Sequence, residues 1–132
     1  MIAAILAAAM VVGQSPVSDR GTWYGARCQA GVTSLGRADT CSPYVSKAHG
    51  GRGGETKWYA AVGWFRYGMS PVNAVITSKI TGRSVRVQIR DYCRACDKNR
   101  ALVDMSPWVF VALGHELGRG VTRVSIRYEE VR

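Results

Sequence analysis

Hydrophobic and polar residues alternate along residues 85–90, where Val or Ile is followed each time by Arg or Gln. Alternation of this kind is typical of a strand with one buried face. Residues 74–80 form another strand-like segment, and the turn residues 81–83 between the two segments predict a β-hairpin. Residues 122–128 alternate in the same way, so we predict a further strand near the C-terminus.

A helix is predicted between the hairpin and the last strand. Ser106 is a good N-cap residue, Pro107 suits the first helical position, and Gly114 is a typical helix end. The apolar segment WYAAVGWF, residues 58–65, is shorter, and its periodicity fits a buried strand and a helical turn equally well. The order strand, hairpin, short helix, strand predicts an all-β domain with one or two short helices.

The N-terminal segment has the composition of an export signal. Eleven apolar residues, IAAILAAAMVV, precede the first charged residue, Asp19. This run is shorter than the roughly 20 residues of a membrane-spanning helix, and small residues near Gly13 suit a signal peptidase. No Lys or Arg follows the initiating Met, so a buried terminal helix is the alternative. We expect residues 1–20 to be a signal peptide or N-terminal apolar segment, residues 21–132 to form one domain, and the protein to be secreted.

The chain has four cysteines, an even number in a small chain with an export signal. This context favours disulfides over free thiols, and the sequence leaves all three pairings open. His49 and His115 do not have the spacing of zinc ligands, so we expect no metal site. A thioredoxin-like redox site is not expected either, since the C-x-x-C follows a strand and precedes a polar loop. The predicted disulfide residues are Cys28, Cys41, Cys93 and Cys96.

The formal net charge is +9, and the apolar N-terminal run carries none of it. A surface of this charge attracts polyanions such as nucleic acid, anionic wall polymers or acidic lipids, although a solvated basic face without a special partner is the alternative. The chain has no RNA-binding signature and no basic helix, so we expect no nucleic-acid partner. Arg86 and Arg90 project from one face of a predicted strand, where they are either solvated or in contact with an anionic polymer.

Four features follow one another along the sequence. Thr22–Gly25 is T-W-Y-G, a predicted strand ends in Asp91, and a C-x-x-C comes almost directly after it. Asp104–Ser106 then precedes the predicted helix, which has an aromatic residue in its first turn. This ordered set resembles the double-psi β-barrel group, which includes rare lipoprotein A-like proteins, expansins and barwin-like proteins. The resemblance extends over nearly all of residues 21–132.

The resemblance implies a six-stranded double-psi β-barrel with a groove across one face. Within that groove, Asp91 matches the catalytic acid of lytic members and the acidic residue that expansins need for wall loosening. Asp104 matches the second carboxylate of the groove, and Thr22 matches the hydroxyl residue beside it. The chain departs from the lytic members at Val62, where they have His, and after Asp91, where Y-C-R replaces R-G-P.

The two aspartates also suit glycoside chemistry by themselves. Hydrolysis usually needs two carboxylates roughly 5 to 10 Å apart, whereas a lytic transglycosylase needs one acid that stays protonated near neutral pH. An apolar site, or a proton shared between Asp91 and Asp104, raises a carboxyl pKa in the direction that this role requires. The structural alternatives are that Asp91 caps a turn and that Asp104 stabilises the start of the predicted helix.

Aromatic residues near these aspartates are candidates for a surface on which sugar rings stack. The predicted substrate-binding residues are Trp23, Tyr24, Tyr92 and Trp108. Aromatic side chains in a small barrel often belong to the core instead, and we expect that position for Trp64 and Phe110.

The sequence leads to two classes of function. We expect first a secreted, monomeric cell-wall protein that needs no cofactor and acts on peptidoglycan or a related polysaccharide. It would act either as a lytic transglycosylase or as a non-hydrolytic, expansin-like loosening protein. The alternative is a protein-binding module, such as a secreted protease inhibitor or effector, because small disulfide-containing barrels also have these roles. A wall-degrading part of a phage particle would use the same groove.

Overall fold

The structure is a computed structural model, and it describes residues 16–24, 58–66 and 68–129. Within these residues it contains six strands and two short α-helices. In chain order they are β1 (Arg20–Trp23), β2 (Tyr59–Val62), β3 (Val72–Ser78), β4 (Ser84–Tyr92), α1 (Arg94–Asp97), β5 (Val103–Met105), α2 (Pro107–Ala112) and β6 (Val121–Tyr128). A short 3-10 helix, Leu117–Arg119, lies between α2 and β6.

The six strands close into a barrel in the order β1-β5-β2-β4-β3-β6. β1 pairs with β5 and β2 pairs with β4 in parallel, and the other neighbours are antiparallel. Exchanging β1 with β4, β2 with β5 and β3 with β6 leaves every pairing in place, so the two halves of the chain have the same topology. The predicted all-β fold, a six-stranded double-psi β-barrel with short helices, is confirmed.

Local signals in the sequence account for the clearest elements. β3 and β4 form the predicted antiparallel hairpin around a turn in which Gly82 has a φ of 77°. Ser106 caps α2, since its Oγ accepts a hydrogen bond from the Val109 amide at 3.2 Å, and Gly114 follows the helix with a φ of 94°. Both glycines have the left-handed backbone that other residues adopt only with strain.

The barrel interior and the buried face of α2 form one hydrophobic core. Val87 and Ile89 of β4 and Val124 of β6 are at most 1% exposed, as their alternation with polar residues predicts. Phe110 is completely buried, as expected, and each such side chain contributes about 1.5 to 3 kcal/mol by leaving water. The apolar segment whose periodicity is ambiguous forms strand β2, and all four residues of that strand are buried.

One expectation from the sequence is wrong. Trp64, which was expected in the core, lies in a turn after β2 and is 41% exposed. Its indole nitrogen donates a hydrogen bond to the Tyr128 hydroxyl at 2.9 Å, so it packs on another exposed aromatic residue instead. The C-x-x-C itself contains the one-turn helix α1, which ends at Asp97, and the polar residues after it form a turn, as expected. Cys93 caps this helix, because its Sγ accepts the hydrogen bond of the Cys96 amide at 3.1 Å.

Residues 16–20 contact the barrel, although they belong to the predicted N-terminal segment. The Asn99 side chain accepts a hydrogen bond from the Ser18 amide and donates one to the Pro16 carbonyl oxygen, both at 2.7 Å. β1 begins at the last of these residues. The apolar run lies in residues 1–15, outside the described part of the chain. Among the helices that the structure describes, none is both long and apolar enough to cross a membrane.

Candidate active site

Four residues on neighbouring strands form one row across the barrel wall. Thr22 of β1 is paired with Asp104 of β5. Asp104 is paired on its other side with Ala61 of β2, and Ala61 is paired in turn with Asp91 of β4. We call this set the carboxylate row, and it contains all three predicted catalytic residues. Two strand spacings separate the aspartates, so their Cα atoms lie about 10 Å apart.

A β-bulge in the parallel pair of β2 and β4 brings Asp91 into the row. Ala60 is paired with Ile89, but the next residue, Ala61, is paired with Asp91, so Arg90 is an extra residue in β4. Without the bulge, Arg90 would lie opposite Ala61. Bulges often redirect a side chain next to a functional site, and this one places a carboxyl group in the row instead of a guanidinium.

The carboxylate row lies on the outer side of the barrel wall. Its neighbours along the strands, which are Ala60 in β2 and both Val103 and Met105 in β5, belong to the buried core. Since successive side chains of a strand point to opposite faces, Ala61 and Asp104 point away from that core. Ala61 contributes only a methyl group between the strands that carry the two carboxyl groups.

The environment of Asp104 favours its protonated form. Burial raises the Asp104 pKa from its ordinary value of 3.8 to about 6, and the charge of Asp91 acts in the same direction. Thr22 Oγ1 donates a hydrogen bond to Asp104 Oδ1 at 2.8 Å, and this bond opposes the rise in pKa. A substantial fraction of Asp104 is therefore protonated at weakly acidic pH, where an ordinary Asp is fully charged.

Asp91 accepts hydrogen bonds at both of its carboxylate oxygens. The Tyr24 hydroxyl donates to Oδ2 at 3.0 Å, and the Tyr92 amide donates to Oδ1 at 2.8 Å. Asp91 is only 3% exposed, so these donors replace part of its lost hydration. Burial, and after it the charge of Asp91, raises the Tyr24 pKa far above its ordinary range. The Tyr24 hydroxyl therefore keeps its proton and remains a donor to Asp91.

Tyr59 belongs to the site, although the sequence does not single it out. It precedes Ala61 by two positions in β2 and so lies on the same face as the carboxylate row. Its ring packs edge-on against Tyr24, with the centroids 5.7 Å apart. Burial raises the Tyr59 pKa, and the charges of Asp104 and Asp91 add to the effect. The only signal for Tyr59 in the sequence is the two-residue spacing, which becomes informative once β2 is known to be a strand.

The other predicted binding residues have different surroundings. Trp108 is 4% exposed and belongs to the core. Trp23 packs against the core, and its indole nitrogen donates to a backbone carbonyl oxygen at 2.9 Å. The Tyr92 hydroxyl donates to Asp97 Oδ2 at 2.8 Å. The structure thus joins Tyr24 to the carboxylate row, whereas Trp108 lies in the core and Trp23 is partly buried against it.

A disulfide lies directly beyond the row. Cys93 and Cys96 are bonded to each other, which confirms the predicted role for this pair. Cys28 and Cys41 lie outside the described residues. The Cys93 amide donates a hydrogen bond to the Val62 carbonyl oxygen at 3.0 Å, so the disulfide is attached to the end of β2 as well as to β4. The bond therefore fixes the chain where β4 ends.

His115 is hydrogen-bonded to two buried hydroxyl groups away from the carboxylate row. Its Nε2 lies 3.0 Å from Ser78 Oγ and 2.8 Å from Thr122 Oγ1, and burial lowers its pKa. His49 lies outside the described residues. In the part of the chain that the structure describes, no group of three or more His, Cys, Asp or Glu side chains is placed to hold a metal ion.

The carboxylate row therefore offers two acids with different surroundings. Asp104 is a candidate proton donor, and Asp91, which is held at both oxygens, is a candidate for stabilising positive charge. Such a pair suits acid-catalysed cleavage of a glycosidic bond. In comparisons with known proteins, no protein-family model and no curated protein matches the chain.

Proposed function

We propose that this is an exported cell-wall protein that binds peptidoglycan or a related polysaccharide over the carboxylate row and cleaves it by a lytic transglycosylase reaction. The observation that carries the proposal is the pairing of two carboxyl groups across Ala61, where Asp104 has a pKa of about 6. A glycosidic oxygen must receive a proton before it leaves. An acid that still holds its proton near the working pH is the group that this reaction requires.

The surroundings of the two aspartates assign their roles. Protonated Asp104 donates its proton to the glycosidic oxygen, and the bond between that oxygen and the anomeric carbon breaks. Positive charge develops on the anomeric carbon and the ring oxygen, where the Asp91 carboxylate stabilises it. A hydroxyl group of the same sugar attacks the anomeric carbon and returns a proton to Asp104. The product is an anhydro sugar, and no water is consumed. The acid is thus Asp104, whereas the resemblance implies Asp91 for that role.

Two hydroxyl groups support this assignment by holding the carboxyl groups in place. The Thr22 hydroxyl donates to Asp104, and the Tyr24 hydroxyl donates to Asp91. A hydroxyl donor fixes the rotamer of a carboxyl group and leaves the charge of that group unchanged, whereas an arginine would neutralise it. Positioning before the reaction reduces the rearrangement that the transition state requires.

The same row also suits glycan binding without cleavage. Asp91 is only 3% exposed, and Val62, which the resemblance aligns with a His of lytic proteins, is buried and apolar. Both observations favour an expansin-like protein that loosens contacts between polysaccharides. A protein-binding module is the alternative from a different class, and its binding would not depend on either carboxyl group.

Release of soluble fragments from purified peptidoglycan tests the proposed reaction. The wild-type protein should release fragments with anhydro-muramyl ends, which mass spectrometry detects. Asp104→Asn should lower the rate at least about 100-fold, because general acid catalysis typically contributes that much. Asp97→Asn is the matched control, since this exposed aspartate of α1 lies outside the row and should retain the wild-type rate.

Other outcomes of this assay point to different functions. Loss of activity in Asp91→Asn with full activity in Asp104→Asn would return the role of acid to Asp91. Wall binding that depends on both aspartates but yields no fragments would favour the expansin-like protein. A folded wild type that neither cleaves nor binds glycan would contradict the proposal and favour the protein-binding module.

A further inference from the structure

We propose that a second area of the barrel wall is a subsite for one neutral sugar ring. An open cavity of about 210 Å³ lies on the outer face of β3 and β4. We call it the Trp58 subsite, and its lining residues are Trp58, Asn73, Arg86, Val87 and Gln88. It contains no residue of the carboxylate row. The identity of the polymer that supplies the ring rests on the proposed function, whereas the subsite itself rests on its own geometry.

Trp58 provides the apolar surface of the subsite. It lies directly before β2, and its side chain is 38% exposed. The Trp58 carbonyl oxygen accepts a hydrogen bond from the backbone N–H of Gln88 at 2.9 Å, and this bond fixes the Trp58 backbone beside β4. One face of a pyranose ring carries C–H groups, and these pack well on the face of an aromatic ring. A partly exposed indole at the edge of a concave surface is suited to this contact.

Polar side chains around the cavity offer partners for sugar hydroxyl groups. Asn73 and Gln88 are paired across β3 and β4, so their amide groups are neighbours on the same face. Gln88 Oε1 accepts a hydrogen bond from Arg90 Nε at 2.7 Å, so its amide nitrogen is left as a donor. Arg86 precedes Gln88 by two positions and lies on that face as well. The aromatic surface matches the C–H face of a sugar ring, and the amide groups at its edge match the hydroxyl groups around that ring.

The charge balance favours a neutral ligand over an anionic polymer. Arg86 Nε and Nη2 each donate to one Glu129 oxygen at 2.9 Å, so this guanidinium is already paired with a carboxylate. Arg90 is 8% exposed and bonds to Gln88, so it presents little charge at the surface. The cavity is also smaller than the roughly 300 to 1,000 Å³ of sites for drug-sized ligands. A single uncharged sugar ring fits both the paired charges and the small volume of the cavity.

The Trp58 subsite continues the carboxylate row along β4. Gln88 is paired with Tyr59 and Asp91 with Ala61, so the two residues are separated by only two steps along the strand because of the bulge, which corresponds to about 7 Å. A short oligosaccharide that follows the strand can place one ring on Trp58 and a glycosidic bond over the row. Binding of a ring at a distance from the reacting bond would hold the glycan in register for the reaction.

Calorimetric titration with chitotetraose and cellotetraose tests the subsite. Trp58→Ala should lower the affinity on the order of tenfold or more, because an aromatic anchor carries much of the binding energy of a small site. Trp58→Tyr keeps an aromatic ring and should retain most of the affinity. Asn73→Ala removes one amide from the exposed rim and should have an effect smaller than that of Trp58→Ala. Trp64→Ala is the matched control, because Trp64 is similarly exposed at 41%, does not line the cavity and should leave the affinity unchanged.

The subsite is overturned if Trp58→Ala binds like the wild type, if Trp64→Ala loses as much affinity, or if the wild type binds neither tetrasaccharide. The proposed reaction is scored separately, by anhydro products from peptidoglycan. Binding that depends on Trp58 without anhydro products would contradict the reaction and support the subsite. Anhydro products formed equally by wild type and Trp58→Ala, with equal tetrasaccharide affinity, would support the reaction and contradict the subsite.

Discussion

Asp104 and Asp91 are paired with the same residue, Ala61, from the two sides of strand β2. This relationship places two acidic side chains on one face of the barrel wall, with a single methyl group on the strand between them. The Asp91 charge opposes the ionisation of Asp104, and burial opposes it more strongly, so the Asp104 pKa rises to about 6. Folding thus places the Asp104 carboxyl group in an environment that is unfavourable for its ionised form, and groups with such shifted pKa values are concentrated at functional sites.

Asp104→Asn should stabilise the protein at neutral pH. A carboxyl group whose pKa is raised by folding favours the folded state below its ordinary pKa of 3.8 and loses that contribution as the pH rises through about 6. At pH 7 the wild type bears the full cost of ionising Asp104, which is up to about 3 kcal/mol. Asn avoids this cost and still accepts the Thr22 hydrogen bond. Urea denaturation should show a large gain for the variant at neutral pH and little gain near pH 4.

His115 titrates in an overlapping range, but its effect cancels in this comparison. Because burial lowers the His115 pKa, its contribution to stability is present above its ordinary pKa of 6.5 and is lost as the pH falls. Wild type and Asp104→Asn carry this contribution equally, so it does not enter the difference between them. A gain for the variant that is the same at both pH values would contradict the raised pKa of Asp104.

Fragment release should follow the protonation of Asp104. If Asp104 is the acid, the active fraction falls about tenfold for each pH unit above its pKa of about 6, and the rate at limiting substrate falls with it. Thr22→Val removes the hydrogen bond that lowers this pKa, so the decline should begin at a higher pH in the variant. A rate that does not change as the pH crosses 6 would contradict the acid role.

Local signals predict the elements whose formation depends on neighbouring residues. The alternation in β4 and the capping residue Ser106 are of this kind, and both elements are present. β5 has only three residues, too few for a periodic pattern, so nothing local predicts it. Trp64 illustrates the same limit, because an apolar residue just beyond a short strand carries no information about which side of the wall it will occupy.

The geometry of the carboxylate row depends instead on pairings between distant residues. The order of motifs singles out Asp91 and Asp104, but Ala61 joins them only through the parallel pairing of β2 with β4 and the bulge at Arg90. Parallel pairing and bulges are set by hydrogen bonds between segments far apart in sequence, which a single sequence does not reveal. Tyr59 is missed for the same reason, since its place beside the row follows from that pairing.

Gly63→Ala should destabilise the protein more than Gly21→Ala. A Cβ atom at Gly63 would lie 2.5 Å from the Asp97 amide nitrogen and 2.8 Å from the Cys96 carbonyl carbon, and both are backbone atoms of α1. At Gly21 the nearest atom is Met105 Cε at 2.7 Å, the end of a flexible side chain. Overpacking typically costs about 1 to 3 kcal/mol, so we expect the upper value for Gly63 and the lower for Gly21. Equal losses on urea denaturation would contradict the close packing of α1 on the end of β2.

The Cys93–Cys96 disulfide should contribute modestly to stability, because the loop that it closes is short. For a loop of four residues the chain-entropy relation gives about 2 kcal/mol. Cys93 has a second role, since its Sγ is the N-cap acceptor of α1. The double variant Cys93→Ser/Cys96→Ser removes the disulfide and keeps an oxygen acceptor at the cap. Cys93→Ala/Cys96→Ala removes both.

The two double variants therefore separate the cross-link from the cap. The serine variant should lose about 2 kcal/mol, the entropic contribution of the bond, and the alanine variant should lose about 1 kcal/mol more, the usual contribution of an N-cap. Urea denaturation at one pH measures both values against the wild type. Equal stability of the two variants would show that Cys93 does not cap α1. A loss well above these values in the serine variant would mean instead that the barrel depends on this disulfide to keep the ends of β2 and β4 together, because the Cys93 amide bonds to the last residue of β2.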